Sequence, residues 1–201
     1  MRFIGQTDYD HKGISPRAGV LLNNLGTPDA PTSSALRRYL REFLSDPRVV
    51  EIPRVIWFVI LDLFILTFRP KASAKLYQQI WTEAGSPLMD ITLRQATALQ
   101  AKLDQAYGKD AVPVAIGMRY GNPSIAAALE PLSAQNVRNI VVLPLYPQYC
   151  AATVGSTFDA VATELKKYRW VPELKFISGY HQNPKYIDAI CRSIEQHVTE
   201  H

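Results

Sequence analysis

The chain has 201 residues, of which 47% are hydrophobic and 20% charged, with a formal net charge of +4. That length suffices for one domain with a sizeable core, and the mild positive charge suits an acidic small ligand or an anionic membrane surface but is too weak to indicate nucleic acid. The 2 cysteines, Cys150 and Cys191, form no CxxC pair, which argues against a disulfide framework or a structural zinc site and fits a reducing, cytoplasmic compartment.

Residues 1–18 carry no apolar core of the signal-peptide kind and read as a tail. "GVLLNNL" (19–25) then reads as a strand buried on both faces, because it is apolar without polar alternation. Leu36, Leu40, Phe43 and Leu44 follow at helical spacing. The run "RVIWFVILDLFILTFRP" (54–70) comes next. A spanning helix needs ~20 apolar residues, and this run has only about 14, with Asp62 in the middle. It reads as a buried helix, or as an apolar lip that holds a flat ligand or dips into a lipid surface.

Ser86-Pro87 marks a helix start, with Ser86 as the capping residue and a stripe of Ile91, Gln95/Ala96, Leu99 and Leu103 behind it. "VPVAIGM" (112–118) is a second strand. Asn122-Pro123 opens the next helix, striped by Ile125, Leu129 and Leu132. "NIVVLPLY" (139–146) is the third strand, and Phe158, Val161, Ala162 and Leu165 form the helix after it. "ELKFIS" (173–178) is the fourth, and Asn183-Pro184 starts a last helix with Ile187, Ile190, Ile194 and Val198 on one face. Strand and helix in alternation imply right-handed crossovers. The expected fold is therefore α/β: a doubly wound, four-stranded parallel sheet, with Glu51–Trp81 as a long insertion.

Ligands of such sheets bind beyond the carboxyl ends of the strands. Here those ends read "NNLGTPD" (23–29), "GMRYGNP" (117–123) and "PLYPQYCAATVGS" (144–156). Neither a G-x-G-x-x-G nor a P-loop pattern is present. The rim is aromatic and mildly basic, which suits a planar apolar molecule with acidic edges. The four histidines, His11, His181, His197 and His201, show no ligand spacing with carboxylates.

Five blocks in register, "LLNNLGTPDAP" (21–31), "YLREFLSDPRVVEIPR" (39–54), "KLYQQIWTEAGSPL" (75–88), "IGMRYGNPSI" (116–125) and "VVLPLYPQYCAATVGS" (141–156), resemble the N-terminal half of ferrochelatase. This family inserts ferrous iron into protoporphyrin IX at the end of haem synthesis, and its fold (a class II chelatase) has two similar α/β lobes around a porphyrin cleft. The resemblance implies that residues 19–201 are the N-terminal lobe and that 52–70 form an apolar lip over the cleft, with peripheral membrane contact in some members.

It also implies site residues, several of them with a plainer alternative. Arg69 would face a porphyrin propionate, a role suited to a forked cation; the alternative is a solvated helix end. Tyr77 would contact the porphyrin, or pack beside Leu76, Ile80 and Trp81. Ser86 would offer its helix N-terminus to a propionate. Leu25 matches a position that presents a side chain to the porphyrin face; leucine cannot ligate a metal, so apolar contact remains. Arg119 and Tyr120 match a pair at the floor of the cleft, or form a buried structural pair. No [2Fe–2S] cluster is expected, because the family's cluster cysteine would stand at position 151, here Ala151, and four thiolates are ordinarily needed. Fe(2+) is a substrate, not a resident cofactor.

The family's catalytic histidine and glutamate belong to later blocks, so no catalytic residue is expected in these 201 residues. The matching lobe would be a partner, and the chain alone would be inactive. Other readings are a chelatase for another metal or tetrapyrrole, and a non-catalytic porphyrin-binding or membrane-surface module.

Overall fold

The computed structural model of the protein describes residues 3–5 and 15–200. Most of the expected tail, together with His11 and His201, lies outside the described residues. Four strands, β1 (Arg17–Asn24), β2 (Val114–Met118), β3 (Val137–Pro144) and β4 (Glu173–Phe176), form one sheet in the order β2-β1-β3-β4. Every pairing is parallel. All four lie where the sequence runs placed them, and β1 reaches two residues further back; β4, expected to be covered on both faces, is instead an edge strand with no buried residue, because it pairs only with β3.

The sheet is covered on both faces because alternate residues of a strand point opposite ways. From β1, Leu21 packs in a core with Ile125, Leu129 and Leu132 of α5 (Ile125–Ala134) and Val161 and Leu165 of α6 (Ser156–Leu165). From the same strand Asn24 points to the other face, where its amide donates to the hydroxyl of Thr92 on α4 (Pro87–Tyr107) at 3.0 Å. The crossover from β1 therefore travels over one face and those around β3 over the other.

That first crossover is long. Helix α1 (Ser33–Leu44) starts at Thr32, whose hydroxyl accepts from the Ala35 N–H. It buries Leu36 and Leu44, with Leu40 and Phe43 half-buried, as its stripe predicts. The apolar run that follows is one helical path in three parts: α2 (Arg54–Ile60), a π turn (Leu61–Ile65) and α3 (Leu66–Ile80). One side packs on α1: Trp57, Leu61 and Leu66 join Leu44, and the Trp57 indole N–H donates to the Leu44 carbonyl at 2.6 Å. Asp62, the charge inside the apolar run, pairs with Arg41 of α1. On the other side Val55, Ile56, Val59, Leu63, Phe64 and Phe68 are exposed. The run is thus half core helix and half lip.

Three expectations are corrected. Helix α5 begins at Ile125, not at Pro123, and its cap is Ser124, whose hydroxyl accepts from the Ala127 N–H at 3.2 Å. The Pro123 carbonyl is occupied by the Met118 N–H, so the chain stays extended two residues longer. On α4 the buried positions are Thr92 and Ala96, while Ile91 is exposed. Polar anchors set that face: Thr92 bonds Asn24, and the Gln100 side chain accepts from the Val114 N–H. Helix α7 (Pro184–Glu200) starts where expected, yet Ile187, Ile190, Ile194 and Val198 are 40–70% exposed and no residue of α7 is buried.

Gly26, just after β1, has φ +107, and a Cβ there would lie 1.8 Å from the Tyr120 carbonyl oxygen. Gly85 has φ +96 but open space around it. Gly85→Ala should cost the left-handed strain alone, about 1–2 kcal/mol, and Gly26→Ala clearly more, because backbone must also move. Urea denaturation checks this; equal losses would show that β1 and the β2 end are not packed as closely as described.

Candidate functional site

A sheet ordered β2-β1-β3-β4 opens a crevice between β1 and β3, where the connections leave for opposite faces. The residues that follow these strands are Leu25 and Leu145-Tyr146. The Leu145 N–H bonds the Asn23 carbonyl, and the Tyr146 hydroxyl donates to the Asn24 side chain at 3.0 Å. Burial pushes the Tyr146 phenol up to about 12. Tyr39, whose hydroxyl donates to the Gly26 carbonyl at 3.2 Å, is also pushed up by burial and by the neighbouring phenols of Tyr77, Tyr146 and Tyr120. These phenols stay protonated at neutral pH, so they can donate hydrogen bonds but cannot accept a proton from a ligand.

The β2 end joins the same rim. The Arg119 and Tyr120 N–H groups bond the Asn24 and Leu25 carbonyls, both at 2.8 Å. Leu25 is half-buried there. Tyr120 is 0% exposed; its ring meets Phe43 edge-on at 5.1 Å, and its hydroxyl donates to Asp46 at 2.9 Å. Arg119 pairs with the same carboxylate and lies 4.3 Å over the Tyr120 ring. Tyr120 therefore supports Arg119 from behind and has no surface of its own to offer.

Ser86 stands at the N-terminus of α4 with extended backbone, but its side chain caps no backbone N–H. Its hydroxyl instead accepts from Thr27 at 2.8 Å, which ties the α4 start to the β1 loop. The capping role expected for the side chain is thus taken over by a cross-link, while the helix N-terminus itself lies on the rim. A cleft of about 240 Å³ runs along it, lined by Trp81, Ser86, Met89 and Asn122 among others. Tyr77 is half-buried on α3, its ring 6.4 Å from Trp81. Arg69, on the same helix, is exposed and makes no hydrogen bond or ion pair among the described residues. By helical rise it stands about 12 Å along the axis from Tyr77.

The structure thus gathers Leu25, Arg119, Tyr120 and Ser86 on one rim, brings Tyr77 near Tyr39, and leaves Arg69 apart at the lip. Among the described residues no three of His, Cys, Asp and Glu are grouped to hold an ion. Asn24, Tyr39, Asp46 and Tyr146 also lie at or behind this rim, where periodicity could not single them out; their one signal was to sit inside the blocks quoted above.

A second ion pair flanks the rim. Arg48 donates twice to Asp159, at 2.6 and 3.0 Å, and holds its carboxyl below the ordinary 3.8. A depressed carboxylate contributes stability above its unfolded value, about pH 4, that is lost as pH falls through the folded one. Arg48→Ala should therefore flatten the fall in stability below about pH 4. Urea midpoints measured against pH would show it, and an unchanged slope would mean that the exposed pair contributes nothing.

A family model described as Ferrochelatase matches residues 17–201. A ferrochelatase of Hydrogenovibrio crunogenus is 53% identical over 100% of this chain and 54% of its own length. One from Idiomarina loihiensis is 51% identical over 100% of this chain and 55% of its own. Ferrochelatase 2 of Shewanella oneidensis is 57% identical over 92% of this chain and 56% of its own. The chain spans about half the length of these relatives. With the parallel sheet, the switch-point rim and the match from β1 onward, the chain belongs to the ferrochelatase family.

Proposed function

We propose that this chain is the N-terminal lobe of an enzyme that inserts Fe(2+) into protoporphyrin IX in haem biosynthesis. The observation that carries this reading is the make-up of the switch-point rim: an apolar position at Leu25, buried phenols, the Arg119 cation, and an exposed apolar lip beside it. Planar apolar faces suit the macrocycle, and fixed donors suit its carboxylate edge. Leu25 would supply apolar contact, Tyr77 a ring edge, and Arg69 and the Ser86 helix start would take propionates. Arg119, backed by Tyr120, would sit at the floor of the cleft.

Removing the two pyrrole protons needs a positioned base. The rim phenols described above cannot serve, so the lobe's own task is to bind and orient. The proton acceptors are assigned to the second half of the family's length, and this chain alone is expected not to metallate porphyrin.

The lip carries a second role. Its apolar side is bordered by Arg54, Arg69, Lys71 and Lys75, and no described helix is long and apolar enough to cross a membrane. That combination suits shallow contact with an anionic lipid surface. Phe64→Ser with Phe68→Ser should reduce sedimentation with anionic vesicles severalfold; undiminished binding would place the lipid contact elsewhere.

The reading is tested by metallation of protoporphyrin IX in a protein of the relatives' full length that carries this chain. Iron should be inserted; activity confined to another metal would make it a different chelatase, and none at all would favour a non-catalytic module. This chain alone should fall short by far more than tenfold. In the full-length protein Arg69→Ala should raise porphyrin KM roughly tenfold, the low end for a charged hydrogen bond because Arg69 is solvent-exposed. An esterified porphyrin should be insensitive to the change. Equal weakening of free acid and ester would remove Arg69 from the propionate site.

A further inference from the structure

Asp46 lies in the turn between α1 and α2, in "LSDPRVV" (44–50), a position with no apolar signal. Its side chain is nonetheless only 4% exposed. One carboxylate oxygen accepts from both the Arg119 guanidinium and the Tyr120 hydroxyl. The other accepts from the Arg48 N–H at 2.7 Å. A buried carboxylate is tolerated only when it is paired and hydrogen-bonded, and these three donors meet that need.

The guanidinium is oriented by this arrangement against its own preference. Arg119 Nε is buried and has no acceptor. An unpaired buried donor is unfavourable, and a guanidinium left to itself would turn to satisfy it. It does not turn, because one nitrogen is pinned by Asp46 and its central carbon sits 4.3 Å from the Tyr120 ring centroid. Tyr120 is held by the same carboxylate, so a single group fixes both the charge and the surface on which it rests.

We propose that Asp46 is a positioning residue, which fixes the Arg119 guanidinium behind the rim at the end of β2. This rests on the reading of that rim as the porphyrin site. Asp46 touches no ligand itself; it acts through Arg119. It also ties the root of the lip to the end of β2, so the cation is set relative to both walls of the cleft.

A double-mutant cycle in the full-length protein tests this. Asp46→Asn keeps the size and removes the charge, and should lower kcat/KM roughly ten- to a hundredfold, the range for a charged hydrogen bond. In an Arg119→Ala background the same change should lower it less than about twofold, since the effect has no route left. A loss of the same size in both backgrounds would show that Asp46 serves the fold alone and would overturn the proposal. Melting temperatures of all four proteins report that fold contribution separately. Should Asp46→Asn not fold, Asp46→Glu keeps the charge but displaces the guanidinium, and its smaller loss should likewise vanish with Arg119→Ala.

A crystal structure of the Asp46 variant gives a readout that does not depend on activity. The guanidinium should leave the Tyr120 ring; a guanidinium still stacked in place would overturn the proposal. The two readings fail separately. A parent protein without chelatase activity speaks against the proposed function, and the crystallographic arm still judges Asp46. A parent that metallates porphyrin but is indifferent to Arg119→Ala keeps its function and loses the proposal.

Discussion

Everything at the rim follows from the central place of β1. It is paired on both sides, and the crossovers of its neighbours leave on opposite faces. Two consequences arise at once. The chain cannot close over the carboxyl ends of β1 and β3, and the side chains that follow these strands must face one another. Asn24 is where this is felt most. Its side-chain amide reaches Thr92 on one face, its side-chain oxygen takes bonds from Tyr146 and the Leu25 N–H, and its carbonyl takes the Arg119 N–H. One asparagine thereby joins α4, β2 and the loop after β3. An apolar residue of the same size would lose the side-chain links to α4 and to the loop after β3, and keep only the backbone bond to Arg119.

The lip answers a different constraint. A helix must bury a stripe to be stable in water, yet the residues of α2 and the π turn are apolar nearly all round. One stripe is satisfied locally by Leu44 and its neighbours on α1. The Arg41–Asp62 pair and the Trp57–Leu44 bond fix which stripe that is. The remaining apolar residues then face outward. The charge that looked out of place in the sequence, Asp62, lies on the side that meets α1, where it pairs with Arg41.

Much of this was legible beforehand. The central strand β1 announced itself because burial on both faces removes polar alternation, and the order of strands and helices then left few topologies. What stayed hidden depends on partners distant in sequence. The face of α4 is chosen by Asn24 and Val114, not by its own leucines. The α5 start moved because Met118 claimed the Pro123 carbonyl. Ser86 has a capping residue's position but a different bond, since Thr27 lies within reach. Asp46 in a polar turn reads as solvated until the fold brings Arg119 against it. Apolar period was misleading in α7, where a clear stripe exists and none of the described residues covers it. Arg69, Tyr77 and Leu25 came from resemblance alone, and composition would not have found them.

The π turn at Leu61–Ile65 has a consequence for how the lip can change. There the Leu66 N–H bonds back to Leu61, five residues instead of four. One extra residue is thus wound into a single turn, and everything after it is advanced by about 100° around the axis. Helical phase, not length, is what the turn supplies. Deleting one residue between 61 and 65 would restore an ordinary helix and turn Arg69 and Tyr77 together to a new bearing, without disturbing the Trp57 anchor upstream. Variation confined to this turn is therefore a route by which one scaffold can re-aim a cation and a tyrosine as a rigid set.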